Sequence, residues 1–225
     1  MEKLNSPCYK IASFEINHIP LIKRISKTNK PIILSTGMST IKEINEAVKI
    51  IKKYGCNKFA LLKCASTYPA NPSDCNIITI KNMIKKYKCP VGLSDHTLGI
   101  GVSVAAITLG ACIIEKHLTL DRSIPGLDSK FSLEPSEFKL LVQEINNAID
   151  AVGQIKYGPT KNEKKSMFLK RSIYVSQDIM KGEKFSKKNI SVVRPGYGKH
   201  PREFENIIGK IAKRNYKSGM PLNKI

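Results

Sequence analysis

Residues 90–97 read PVGLSDHT and residues 111–117 read ACIIEKH. Each is a short, nearly continuous apolar run that turns polar only at its C-terminal end. Runs of this length fit strands buried on both faces, as in a parallel sheet. Working outward, the same texture recurs as YKIAS at 9–13, PIILST at 31–36 and FALLKCAS at 59–66. Their polar ends are Ser35-Thr36-Gly37, then KCASTY at 63–68, Ser94-Asp95-His96-Thr97 and Glu115-Lys116-His117. Polar groups inside a sheet are costly unless they are used. In parallel α/β folds, and above all in (β/α)₈ barrels, the C-terminal strand ends form the mouth of the active site. Four such clusters in series point to a site.

The segments between the runs read as helices. Ile41, Ile44, Val48 and Ile51 recur at helical spacing, Thr40 with Glu43 forms a capping-box signal, and Gly55 offers a left-handed stop. Ile80, Met83, Ile84 and Tyr87 repeat the pattern, as do Phe138, Leu141, Val142, Ile145 and Ile149 before Gly153. Residues 101–109, GVSVAAITL, are apolar nearly all round and predict a well-buried crossover helix. Strand–helix alternation of this kind gives an α/β sheet or barrel over residues 1–152. Residues 153–167 turn polar and Lys-rich around Gly158-Pro159 and read as a linker. Residues 168–225 read as a small, turn-rich β domain. Within it, DIMKGEKFSKKNI at 178–190 and NYKSGMPLNKI at 215–225 resemble two copies of one device.

Composition bounds the function. The 225 residues are 41% hydrophobic and 25% charged, with no Trp. No stretch approaches 18 consecutive apolar residues, so no membrane partner is expected. The first residues, MEKLNSPCYKIASFE, carry neither an apolar h-region nor a small-residue cleavage site, so no secretory signal is expected. Six Cys without a CxxC pair fit reduced thiols and a cytoplasmic setting better than a disulfide framework. The net charge is +20, of which +13 falls in the last 75 residues. Such a charge suits an anionic small substrate or a nucleic acid. No nucleic-acid-binding motif accompanies it, and a Lys-rich surface is the plain reading, so no nucleic-acid partner is expected.

Candidate site residues follow from the strand ends. His96 and His117 end successive strands and are the candidate metal pair; two imidazoles leave coordination positions open for water and a substrate carbonyl. The competing reading is two histidines merely hydrogen-bonded in the mouth. Side chains two apart share a face, which places Ser94 with His96 and Glu115 with His117, and turns Lys116 away. Lys10 and Lys63 are charges in apolar runs that either bind phosphate or carboxylate in the mouth or snorkel outward. Ser13, Ser35, Ser66 and Ser94 are neutral donors for anionic oxygens, or simply turn residues.

The segments KIASFE, PIILSTGM, LLKCASTYP, VGLSDHTLGI, IIEKHLTLDRS, DSKFSLEPSEF, KYGPTKNEKKS and RPGYGKHP, in this order, resemble the sialic acid (nonulosonate) synthase family. DSKFSLEPSEF and RPGYGKHP are most similar to its pseudaminic acid synthase branch. The resemblance implies an α/β fold: the C-terminal five strand–helix units of a TIM (β/α)₈ barrel, followed by an antifreeze-like (SAF) β domain. It implies a domain-swapped homodimer. It implies condensation of phosphoenolpyruvate with a 2,4-diacetamido-2,4,6-trideoxyhexose, with release of phosphate. By position, His96 and His117 match ligands of a divalent ion, Mn²⁺ or similar. Lys10, Ser13, Ser35, Ser66 and Ser94 match phosphoenolpyruvate contacts, and Tyr68 and Asp128 match contacts to the acetamido sugar. Arg194 matches an arginine reaching the sugar from the partner's small domain, and Glu115 a catalytic acid or base. Leu118 and Leu127 depart from the family's usual Phe and Pro. The family's first three strand–helix units have no counterpart here, so a fragment, half of a split enzyme partnered by a chain supplying those units, or a degenerate copy is expected. Alternative functions are an N-acetylneuraminate or legionaminic acid synthase, or an inactive chain that binds sugar or pairs with a full-length synthase.

Overall fold

The computed structural model describes residues 4–223 and 225, and the chain divides into two compact units between Gln154 and Ile155. Residues 1–3, where the expected first domain begins, lie outside the described residues. The first unit is built on five strands: β1 (Tyr9–Ile11), β2 (Ile32–Ser35), β3 (Phe59–Cys64), β4 (Val91–Asp95) and β5 (Ile114–Lys116). They lie in sequence order and every pair is parallel. Parallel neighbours in sequence order require a crossover each time, which helices supply. These are α1 (Ile19–Ser26), α2 (Ile41–Lys53), α3 (Thr79–Tyr87) and α4 (Gly101–Thr108), with α5 (Pro135–Val152) after β5. The result is a five-stranded arc of a TIM-type barrel, as the sequence predicts.

Register sorts the strand residues onto two faces. Tyr9 and Ile11 pair with Ile32 and Leu34, Leu34 with Leu61, Leu61 with Val91, and Leu93 with Ile114. This outer face, with Ile22, Ile44, Ala47, Val48, Ile51, Ile80, Met83 and Ala106 of the helices, is the main core. Each large aliphatic or Met side chain among these contributes about 1.5–3 kcal/mol by leaving water, the alanines less. The alternate residues line the inner face: Lys10 pairs with Ile33, Ser35 with Leu62, Cys64 with Ser94, and Ser94 with Glu115. Gly92 lies on it too, where a Cβ would collide with the Ile113 carbonyl.

Local signals set the helix limits. Thr40 Oγ1 accepts from the Glu43 amide and Glu43 accepts from the Thr40 amide, so α2 starts at the expected capping box. Helix α1 carries a weaker sequence signal, Pro20 near its start, and the apolar pattern did not mark it. One expectation is revised. Helix α4 was expected to be well buried, yet only Ser103 and Ala106 are. Its uniform apolarity gives no preferred face, and the sheet covers one stripe only.

The second unit is small. Strands β6 (Ser172–Val175) and β7 (Ile190–Val193) pair antiparallel over a core of Ile173, Phe185, Ile190, Ile207, Tyr216 and Leu222. The two similar segments face one another: Ile179 and Tyr216 exchange both backbone hydrogen bonds, at 2.9 and 2.8 Å. The stretch expected to be a linker enters a 3₁₀ helix, Glu163–Leu169, preceded by reciprocal Thr160–Glu163 hydrogen bonds. Helix α6 (Phe204–Ile207) completes the unit. No described helix is long and apolar enough to cross a membrane.

Candidate active site

The polar ends of the inner face converge. On β4 and β5, Ser94 Oγ donates to Glu115 Oε1 at 2.7 Å. Lys10 Nζ, from β1 at the opposite edge of the sheet, reaches the same oxygen at 3.2 Å. The loops after β1, β2 and β3 meet beside them. Ser13 Oγ and Ser66 Oγ lie 3.0 Å apart, and Cys64 Sγ is 3.6 Å from Ser66 Oγ. A Cβ on Gly37 would collide with Ser66 Oγ and lie 3.1 Å from Cys64 Sγ, so a larger residue here would have to push Ser66 aside. Ser35 is 1% exposed, and its Oγ has no hydrogen-bond partner among the described residues. An orphaned buried hydroxyl is costly, and an anionic oxygen beside it would relieve that cost.

The imidazoles occupy the β4–β5 side of the mouth. Their ring centroids are 5.2 Å apart. His96 Nδ1 lies 2.9 Å from the Ala65 carbonyl, which can only accept, so Nδ1 carries the proton and Nε2 keeps its lone pair. His117 Nδ1 lies 3.4 Å from Asp128 Oδ2. An Nδ1 held by a carbonyl or a carboxylate is the outer-shell arrangement of metal-binding histidines. Two such nitrogens fit a divalent cation that keeps open positions. Among the described residues, no group of three or more His, Cys, Asp and Glu side chains is placed to hold one.

Tyr68 leans on His96, centroid to centroid 4.3 Å, and Phe131 closes the box at 5.6 Å from Tyr68 and 5.0 Å from His117. Burial, with His96 next, pushes the His117 pKa below its usual 6.5 and favours the neutral ring. Burial opposes charge on His96 too, but the Cys64 thiol and Ala65 carbonyl outweigh it and raise its pKa. Burial also raises the Tyr68 phenol.

Not every polar strand-end residue faces the mouth. Lys63 shares its face with Leu61 and pairs in register with Leu93, which turns it outward; its Nζ donates to the Cys64 carbonyl at 3.0 Å. Lys116 is turned away, as the alternation predicts, and so is Asp95 from within an expected mouth cluster. Arg194 follows β7 in the second unit. The sequence reading missed Cys64 and Phe131 as site residues. The two-residue step from Leu62 through Cys64, opposite Ser94, was the available signal for the thiol; Phe131 carried none.

A five-stranded parallel arc with its polar groups at the C-terminal mouth, followed by a small β unit, defines part of a TIM-type barrel with an appended module. Residues 1–157 match the NeuB family and residues 170–224 match the SAF domain. The chain belongs to the NeuB family, the sialic acid synthases. It is 41% identical to an N,N'-diacetyllegionaminic acid synthase of Campylobacter jejuni, covering 96% of this chain and 66% of that one. It is 39% identical to a pseudaminic acid synthase of Helicobacter pylori, covering 99% and 66%. Among solved structures it resembles the spore coat polysaccharide biosynthesis protein SpsE of Bacillus subtilis. That match has TM-score 0.65 and 33% identity, over 98% of this chain and 67% of that one. The chain thus spans about two thirds of the length of the curated relatives it matches.

Proposed function

We propose that this chain carries the metal-binding and phosphate-binding side of a nonulosonate synthase. In this reading phosphoenolpyruvate condenses with a 2,4-diacetamido-2,4,6-trideoxyhexose and phosphate leaves, as in a pseudaminic acid synthase. The convergence of Lys10, the orphaned Ser35 hydroxyl and the Ser13–Ser66 pair beside two pinned imidazoles carries the proposal. An N,N'-diacetyllegionaminic acid synthase is the second reading, favoured by an identity of 41% against 39–40% for pseudaminic acid synthases.

His96 and His117 would hold a divalent ion, Mn²⁺ or similar, which when bound supplies Lewis-acid polarisation of the sugar aldehyde. Lys10 holds the phosphate as a fixed cation while Ser35 and one hydroxyl of the Ser13–Ser66 pair donate hydrogen bonds to its oxygens, and Ser94 lines the same pocket with its one proton on Glu115. Tyr68 and Asp128 orient the sugar. Carbon 3 of phosphoenolpyruvate bonds to the aldehyde carbon as the carbonyl π pair moves onto its oxygen, which takes a proton from solvent to become a hydroxyl, and positive charge develops at carbon 2. Glu115, kept in place by Ser94 and Lys10, takes a proton from the water that adds at carbon 2. The hydroxyl so formed at carbon 2 then becomes the ketone, its proton passing to the phosphate as the carbon–oxygen bond to phosphate breaks and phosphate departs.

Among the described residues, strands β1 and β5 each have one paired neighbour, and the relatives are about half as long again as this chain. In this reading the complete centre draws on three further strand–helix units, from this polypeptide or another, and on Arg194 of a second copy in a swapped dimer. The deciding experiment supplies those units and measures phosphate release with 2,4-diacetamido sugars and with N-acetylmannosamine. Metal-dependent turnover of the diacetamido sugars supports the reading. Turnover of N-acetylmannosamine alone makes the chain a sialic acid synthase, and no turnover with any of them overturns the proposal.

A further inference from the structure

The buried charge pair behind the mouth has no role in the chemistry above. Lys116 Nζ lies 2.8 Å from Asp95 Oδ2, with side chains 1% and 0% exposed. Every acceptor position of the carboxylate is used. Oδ1 accepts from the Thr97 amide at 2.9 Å and its hydroxyl at 2.8 Å; Oδ2 also accepts from Ser103 Oγ of α4 at 2.6 Å. Lys116 donates a second bond, to the Thr97 carbonyl at 2.6 Å.

A buried ion pair is weak as a source of stability, because removing two charges from water costs about what their attraction returns. Its position is more informative. Asp95 and Lys116 are register partners at the ends of β4 and β5. His96 lies between Asp95 and Thr97, both of which the network fixes. Glu115 and His117 flank Lys116 and project to the opposite face. The network therefore grips the backbone on both sides of His96 and between Glu115 and His117, touching none of the reacting groups.

We propose that Asp95 and Lys116 are positioning residues that set the separation of His96 and His117, with Ser103 tying the pair to α4. The inference rests on the functional reading only where it concerns metal; the ring geometry stands apart from it.

The test uses the whole chain with ¹⁵N-labelled histidine. The double variant Asp95→Asn/Lys116→Met removes both charges and the cross-strand tie while keeping side-chain volume. Leu93→Ala is the control: it destabilises the same face of the same strand and leaves the network intact. In the wild type, a cross-peak between the His96 and His117 ring protons is expected, with selective broadening of both by Mn²⁺. The double variant should lose the cross-peak and need at least about tenfold more Mn²⁺, the usual cost of losing an outer-shell partner. Leu93→Ala should leave both unchanged. Ser103→Ala, a milder step, should weaken the cross-peak and settles the question if the double variant does not fold. An unaltered cross-peak in the double variant, or equal losses in Leu93→Ala, overturns the proposal. A wild type with the cross-peak but no Mn²⁺ broadening removes the metal reading instead, and the cross-peak comparison still decides the inference.

Discussion

Lys10 and Glu115 stand on the two edge strands of the five-stranded sheet, yet Nζ and Oε1 are 3.2 Å apart. The arc is curved enough for a lysine to span its interior. Both side chains are about one third exposed, and such a pair contributes about 0–1 kcal/mol to stability. Lys10 is therefore free to serve a ligand. Lys10→Ala should move the melting temperature little while weakening binding of inorganic phosphate at least tenfold by calorimetry. A large loss of stability with phosphate binding intact would assign Lys10 to the fold.

Much of this site was legible because parallel strands alternate with period two. That period places Ser94 with His96 and turns Lys116 away from Glu115 and His117. The same period turns Asp95 away from Ser94 and His96, but its place inside a polar strand-end cluster groups it with the mouth; the buried Lys116 and Ser103 show where it points. Lys63 stayed ambiguous for the same reason. Phe131 follows a loop whose path no periodicity sets. Helix α4 misled because uniform apolarity carries no face. Thr160 and Glu163 did carry a capping signal, and the polar Lys-rich stretch around them obscured it.

Gly37 is where two loops are pressed onto the Ser13–Ser66 pair. Gly37→Ala must push Ser66 aside, and overpacking of this sort costs about 1–3 kcal/mol. The expected outcome is a lower denaturation midpoint together with about tenfold weaker phosphoenolpyruvate binding. Unchanged binding would separate Ser66 from the anion site.

The Asp95 carboxyl is opposed by burial but held below its usual range by Lys116, Ser103 and Thr97. A carboxyl whose folded pKa lies below its unfolded value of about 3.9 stabilises the fold above that pH. The contribution disappears as pH falls through the folded value. Asp95→Asn should therefore lose stability at neutral pH and show a flatter urea midpoint below about pH 4 than the wild type.

The second unit depends on few side chains. Phe185 is buried against Tyr216, ring centroids 5.5 Å apart, in a domain near the lower size limit for folding. Phe185→Ala should cost about 3–5 kcal/mol and unfold this unit. Amide spectra should then lose dispersion for residues 172–222 and keep it for β1–β5. Simultaneous loss of both sets would show that the units fold as one.

His96 and His117 must both be neutral to donate to a cation. The pKa of His117 lies below 6.5 through burial and the nearby His96, whereas the thiol and carbonyl beside His96 raise its own. Protons therefore compete first at His96, and Mn²⁺ affinity should fall as pH drops through and below neutrality. His96→Ala and His117→Ala should each abolish saturable Mn²⁺ binding, measured by the relaxation of bulk water. His18→Ala, at the start of α1 in the same unit, should not. Binding that survives loss of either ring, or that rises on acidification, would leave the proposed condensation without its electrophilic activator.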